Sequence, residues 1–331
     1  MKFILHVGMG KTGTSSIQNV LKARTDQLHA QNVHYLGMWF VDTANNAQNI
    51  PVMREVLHQP PGEQAKSAHD FADRATAEGQ EAGAQTLIFS NEMLFNAGQH
   101  FQPFLDVLAE RFDLKILAYM RDPHQWLPSA FSQWGIRHKF NTGPLKPFST
   151  LARDLIGQYD GVRFWAETYG DIFELRKHDT SVDVVQDFAA ACGIEIDPGD
   201  ARFLERSEPA ETVMRAAFNA RFEEEVLPHR FNRILSGKLS EAHSVDHLME
   251  ICFGQDGGAE IVAERAELFD YITKTFGPDF DFSSDTSRAK DGPDANAIRE
   301  RLLEYLLELS IRQGHRITAL ENKLRKFMDG D

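Results

Sequence analysis

Short apolar runs rich in strand formers alternate with longer amphipathic stretches through the first half of the chain. Residues 2–7 (KFILHV) read as a buried strand. Residues 13–31 follow with Ile17, Val20, Leu21 and Leu28 at near-helical spacing, which predicts a helix. Residues 33–36 (VHYL) form a second extended piece, and 44–83, polar and alanine-rich with Pro-Pro-Gly at 60–62, read as loop and helix. Residues 85–90 and 114–120 are further buried-strand candidates, and 172–176 is a weaker one. Strands that alternate with helices argue for a parallel sheet. The expected class is α/β: a central parallel sheet flanked by helices in three layers, with a helical carboxy-terminal region.

Beyond Pro209 the pattern is mostly helical, over residues 211–225, 241–252 and 259–276. A loop rich in Asp, Ser and Gly spans 277–296, and a long helix is expected over 297–328. With Leu303 as heptad position a, the a and d positions are Leu303, Leu306, Ser310, Gln313, Ile317, Leu320, Leu324 and Phe327. Six of these eight are apolar, which leaves two readings open: a helix packed on its own domain, or a short coiled coil that makes a homo-oligomer. Gly314 and the polar middle heptad weaken the second. The expected organisation is one α/β domain over 1–290, its part beyond about 200 mainly helical, followed by the terminal helix.

Composition narrows the class. With 42% hydrophobic and 25% charged residues, the 331-residue chain can bury a sizeable core without metal or disulfide staples. Its two cysteines, Cys192 and Cys252, do not form a spaced cluster, so no metal site is expected and a reduced, cytoplasmic setting fits. The opening MKFILHVG is too short for a signal-peptide core, and no segment approaches a membrane span. A net charge of −14 disfavours nucleic acid as a partner. An anionic ligand therefore needs a locally basic pocket.

The polar motifs fall where the strands should end: GMGKTGTSS after the first, SNE after 85–90 and RDP after 114–120. In parallel sheets, ligands sit beyond the carboxyl ends of the strands. The stretch HVGMGKTGTSS has small residues that let an anion approach the backbone, and a lysine and hydroxyls that would bind it. A turn capped by one Thr or Ser is the plainer reading, but a cap needs no lysine followed by five small or hydroxyl residues. Gly10-Lys11-Thr12 matches the second half of the nucleoside-triphosphate loop G-x-x-x-x-G-K-[ST], while its first glycine would fall at Leu5, inside the strand. The loop is thus better suited to presenting donors to one face of a phosphate. Arg121, in RDPHQWLPS, offers a guanidinium fork, with the hydroxyl of Ser129 eight residues further on.

Together these two segments resemble the sulfotransferase family that uses 3′-phosphoadenosine 5′-phosphosulfate (PAPS). HVGMGKTGTSSIQ is similar to its 5′-phosphosulfate loop, and MRDPHQWLPSAF to its 3′-phosphate motif. The resemblance extends over about residues 1–200, through Tyr159, Phe164-Trp165, Tyr169-Gly170-Asp171, Val184-Val185-Gln186-Asp187-Phe188 and Cys192-Gly193-Ile194. It implies a P-loop-like three-layer sandwich and a PAPS donor with no metal. Trp126 stands where members often carry a second arginine, Phe131 where they often have tyrosine, Pro128 interrupts the usual helix, and Lys177-His178-Asp179 replaces the usual acidic residue. Arg206 is the one weak candidate for a carboxy-terminal nucleotide contact.

By this resemblance Lys11 contacts the bridging oxygen and the 5′-phosphate, and Thr12, Gly13, Thr14, Ser15 and Ser16 hold that phosphate. Arg121 and Ser129 hold the 3′-phosphate. The acceptor, a carbohydrate, glycolipid or other small molecule with a hydroxyl or amine, must lose a proton. Glu92 is the leading base, with His34 and His124 as alternatives; His6 reads as a packed histidine. Trp39, Trp126 and Trp134 are candidates to line an acceptor groove or to be core. Two other functions remain open: a P-loop kinase or nucleotide hydrolase, and a non-catalytic nucleotide-binding protein assembled through its terminal helix.

Overall fold

All five segments with a strand-like pattern form strands, and all join one parallel sheet. They are β1 (Lys2–His6), β2 (Val33–Tyr35), β3 (Thr86–Ser90), β4 (Asp113–Met120) and β5 (Phe173–Lys177), in the order β2-β3-β1-β4-β5. The computed structural model describes residues 1–40, 46–179, 181–199, 209–228, 244–254, 257–282 and 293–329. Arg206, residues 241–243 and residues 283–292, for which a contact, a helix start and a loop were expected, lie outside the described residues, as does the side chain of Phe327.

The central strand β1 pairs with β3 on one side (Leu5 opposite Phe89) and β4 on the other (Leu5 opposite Ile116). Its side chains alternate between two apolar layers. On one face Ile4, Ile88, Leu117 and Tyr119 pack against Ile17, Val20 and Leu21 of α1 (Thr14–Ala23) and Val185 and Phe188 of α10 (Val184–Cys192). On the other, Phe3 and Phe89 meet Phe71 of α4 (Pro61–Glu81), with ring centroids 6.2 and 5.5 Å apart. Phe71 in turn stacks near Phe104 of α6 (Gln102–Arg111), at 5.7 Å. Each fully buried ring stabilises by about 2 kcal/mol through area alone. The remaining described α-helices of the first half are α2 (Thr25–His29), α3 (Asn46–His58), α5 (Leu94–Ala97), α7 (Pro123–Phe131), α8 (Phe148–Leu155) and α9 (Gly161–Tyr169).

A chain of charges ties the far side of the sheet. The Tyr119 hydroxyl donates to Asp187 at 2.7 Å, and Arg176 donates two bonds to the same carboxylate at 2.7 and 2.6 Å. Arg176 also reaches Glu174 at 2.6 Å, and Glu174 pairs with Lys115 at 2.6 Å. β4, β5 and α10 are thereby linked through bidentate, half-buried geometry, where ion pairs contribute more than they do on an open surface. His6 is fully buried, with its ring edge-on to Tyr119 and Phe188 and its Nδ1 2.8 Å from Ser90 Oγ. It is the packed histidine expected. Burial drops its pKa to about 3, so it is neutral.

The chain divides into two compact units: Met1–Ala130 with Arg153–Glu205 and Gly258–Ser287, and Phe131–Ala152 with Arg206–Gly257 and Arg288–Asp331. The sheet belongs to the first, along with α13 (Gly258–Ala263) and α14 (Ala266–Phe276). The second holds α11 (Pro209–Asn219), α12 (Val245–Phe253) and α15 (Ala295–Asp329).

Several helix boundaries differ from the periodicity. The helix expected over 13–31 breaks at Arg24, whose Nε donates to the carbonyl of Asp197 at 2.9 Å. The helix expected over 211–225 begins at Pro209 and stops at Asn219. Past that point Lys139, fully buried, donates from Nζ to the carbonyls of Phe222 (2.8 Å) and Glu224 (3.0 Å). A buried ammonium needs such acceptors, and it draws these carbonyls away from the helical ladder. The stretch 259–276 is two helices rather than one, and the terminal helix starts at Ala295. Pro128 lies inside α7, which gives way to a π-helical turn over Ser132–Arg137. Among the described residues no helix is long and apolar enough to cross a membrane.

Candidate functional site

Because β1 is central and its neighbours are β3 and β4, three polar motifs end on adjacent strands. The segments after β1, β3 and β4 are Val7–Gly13, Asn91–Met93 and Arg121–Asp122, at the point where the chain switches direction across the sheet.

The first is a tight loop with three left-handed residues: Gly8 (φ 49°), Lys11 (φ 69°) and Gly13 (φ 86°). A Cβ on Gly8 would meet the Thr14 hydroxyl at 2.7 Å, and one on Gly13 would meet Val184 of α10 at 2.7 Å. Both positions therefore require glycine. Lys11 is not glycine, and its conformation costs about 1–3 kcal/mol, which the surroundings must impose. Two hydrogen bonds do so: Thr12 Oγ1 donates to the Met9 carbonyl at 2.5 Å, and the buried indole of Trp126 donates to the Gly10 carbonyl at 2.7 Å. The structure thus makes Trp126 a loop-holding core residue, and it is no part of a groove: it is wholly buried because its N–H has an acceptor inside.

Gly13 occupies the N-cap of α1, and no side chain caps this end. The expected plain alternative, a Thr or Ser cap, is therefore absent. Among the described residues the N–H groups of Thr12, Gly13, Thr14 and Ser15 donate to no backbone carbonyl, whereas that of Ser16 donates to Gly13 at 2.9 Å. Thr14 Oγ1 is buried and has no hydrogen-bond partner. Free N–H groups, the positive end of a ten-residue helix and an unsatisfied hydroxyl form an anion receptor. Lys11, Ser15 and Ser16 are half-buried at its rim. The residues present fit a phosphate or phosphosulfate here.

Glu92 stands beside this loop: its Cβ is 3.4 Å from where a Gly8 Cβ would be. Gln18 of α1 donates to Glu92 Oε2 at 3.1 Å and to the Ser90 carbonyl at 3.0 Å, so one amide ties the carboxylate to the strand end. Glu92 also helps push the Tyr35 phenol upward, after burial. Sequence reading missed Gln18, whose link spans 74 positions.

Arg121 is buried at the end of β4, and the Tyr159 hydroxyl donates to its carbonyl at 2.6 Å. Asp122 accepts the His124 N–H at 2.8 Å and so caps α7. His178, at the end of β5, lies near Arg121: burial and then that guanidinium lower its pKa, and its Nδ1 is buried without a hydrogen-bond partner. Ser129 lies half-buried in α7. His34 is on β2, two strands from β1, with Nδ1 3.1 Å from His29 and Nε2 3.7 Å from Glu78. His124 and Trp39 are half-buried in the first unit, and Trp134 in the second. Among the described residues no three His, Cys, Asp or Glu side chains gather to hold a metal ion.

No protein-family model matches the chain, and no curated protein matches it.

Proposed function

We propose that this protein is a sulfotransferase that moves a sulfuryl group from PAPS to a hydroxyl or amine of a carbohydrate, glycolipid or other small acceptor, in a P-loop-like α/β fold. The observation that carries this reading is the loop after β1: an uncapped helix end, left-handed Gly8, Lys11 and Gly13, and the unsatisfied Thr14 hydroxyl, beside buried Arg121 on the next strand. Leu5, which would replace the first glycine of a nucleoside-triphosphate loop, is paired inside β1 and 1% exposed. That leaves a short loop and favours the sulfotransferase over a kinase or hydrolase. Both cysteines are free thiols, which fits a reducing, cytoplasmic setting.

In this reading Lys11 and the α1 N–H groups hold the 5′-phosphate and offset the charge it gains on leaving. Thr12 braces the loop, and Gly13, Thr14, Ser15 and Ser16 supply its backbone and hydroxyl donors. Arg121 and Ser129 hold the 3′-phosphate, which ATP lacks. The donor supplies an activated sulfuryl group: the acceptor oxygen or nitrogen bonds to sulfur as the sulfur–oxygen bond to the phosphate breaks. Glu92 takes the proton, its carboxylate oriented by Gln18.

Titration with 3′-phosphoadenosine 5′-phosphate and with ATP–Mg²⁺ tests the donor site. The adenosine bisphosphate should bind tightly, and Arg121→Ala should weaken it more than it weakens 5′-AMP. Stronger binding of ATP–Mg²⁺ would overturn the reading in favour of a kinase. Radiolabelled sulfate transfer to glycans and phenols tests turnover.

A further inference from the structure

The terminal helix α15 carries an apolar seam that the described residues leave exposed. Ile298 and Leu302 at its start are buried, but from Ser310 to Leu324 every described side chain is exposed. Leu303, Leu306, Ile317, Leu320 and Leu324 are 54–67% exposed. With Ser310 and Gln313 between them they complete a series of alternating three- and four-residue steps, the 3.5-residue repeat of a two-stranded coiled coil; exposed Leu307 and Ile311 lie beside that series. Gly314 sits in the middle, where an added Cβ would meet nothing. A helix segment with a central glycine and, among the described residues, no buried side chain from Ser310 to Leu324 is marginal in water, which favours a partner along its seam.

We propose that the partner is a second copy of this chain, packed parallel and in register along α15 from Leu303 to Leu324. Charge and polarity select this arrangement. Arg316 falls at g and Glu321 at the following e, so a parallel pair brings each arginine to the other copy's glutamate, twice across the symmetry axis. The same register sets Gln313 opposite its own copy, where the two amides bond to each other instead of facing leucine. The polar step formed by Ser310 and Gln313 favours the in-register pairing over shifted ones. Outside the seam the surface is mixed: Glu308 and Arg312 pair within the helix at 2.7 Å, while Leu307 and Ile311 are exposed apolar side chains.

The mass of the full chain in solution tests this. It should be twice that of one chain and fall to one on dilution. Ile317→Glu with Leu320→Glu should halve the mass while near-ultraviolet dichroism is unchanged, which separates loss of pairing from loss of fold. Arg316→Glu should weaken the dimer about tenfold, and adding Glu321→Arg should restore it. The Leu324→Cys variant, once oxidised, should cross-link to its own copy. A monomer at every concentration, or a dimer indifferent to Ile317→Glu/Leu320→Glu, would overturn the proposal; a dimer in which Leu324→Cys forms no cross-link would overturn its parallel register.

Discussion

The indole Nε1 of Trp126 donates to the carbonyl of Gly10 at 2.7 Å, joining the helix after β4 to the loop after β1 across 116 positions of sequence. One of the residues that depart from the sulfotransferase pattern is therefore the one that braces the loop. Trp126→Phe keeps an aromatic ring but removes this bond along with the pyrrole half of the indole. Leaving a part-buried carbonyl unsatisfied costs about 1–3 kcal/mol. Denaturant unfolding should report that loss, and affinity for 3′-phosphoadenosine 5′-phosphate should fall roughly five- to tenfold as the loop loosens. An unchanged affinity would mean that Trp126 serves only the core.

Gly13 is held at φ 86° with Val184 behind it. Gly13→Ala should destabilise the fold by about 1–3 kcal/mol. Adding Val184→Ala should recover part of that, because it removes the contact and not the backbone strain. Purely additive effects in this cycle would rule out the steric coupling.

Glu92→Gln keeps the shape beside Gln18 and removes the proton acceptor of the proposed reaction. Turnover should drop about 10²–10⁴-fold. Nucleotide affinity should stay near normal. Unchanged turnover would take Glu92 out of the mechanism.

Acid should unfold the protein partly through His6. Folded, its pKa is about 3, below the unfolded 6.5, so the unfolded chain binds the extra proton. The stabilising contribution of neutral His6 is complete above 6.5 and is lost as pH falls toward 3, at up to about 1.4 kcal/mol per pH unit. Burial lowers His178 in the same direction. Unfolding free energies at pH 7 and 5 should differ by about 2 kcal/mol less in His6→Leu than in the native chain. Equal pH slopes would show that His6 protonates without unfolding.

The sheet was legible because its strands are short apolar runs of residues that favour extension, and residues 2–7 can satisfy a backbone buried on both faces only in a central strand. A tight loop after β1 was legible from Gly8, Gly10 and Gly13 among hydroxyls; the left-handed backbone at Lys11 was not. What escaped were effects of distant partners. Nothing near Asn219 announces that Lys139 draws off the carbonyls of Phe222 and Glu224. Nothing near Trp126 announces that Gly10 will take its N–H. The sequence already argued against a plain hydroxyl cap on α1, but not that Gly13, in the left-handed region, takes the cap position.

The sheet order also sets the order of folding. β1 precedes every partner it needs: β3 lies more than eighty residues downstream and β4 more than a hundred. Its loop is closed only when Trp126 and then Val184 have arrived. Such long-range pairing costs loop-closure entropy before any contact repays it, so folding is slowed and a nascent chain exposes its central strand until its partners arrive. On a ribosome the loop after β1 would be made before the residues that brace it and would take shape only once they had arrived.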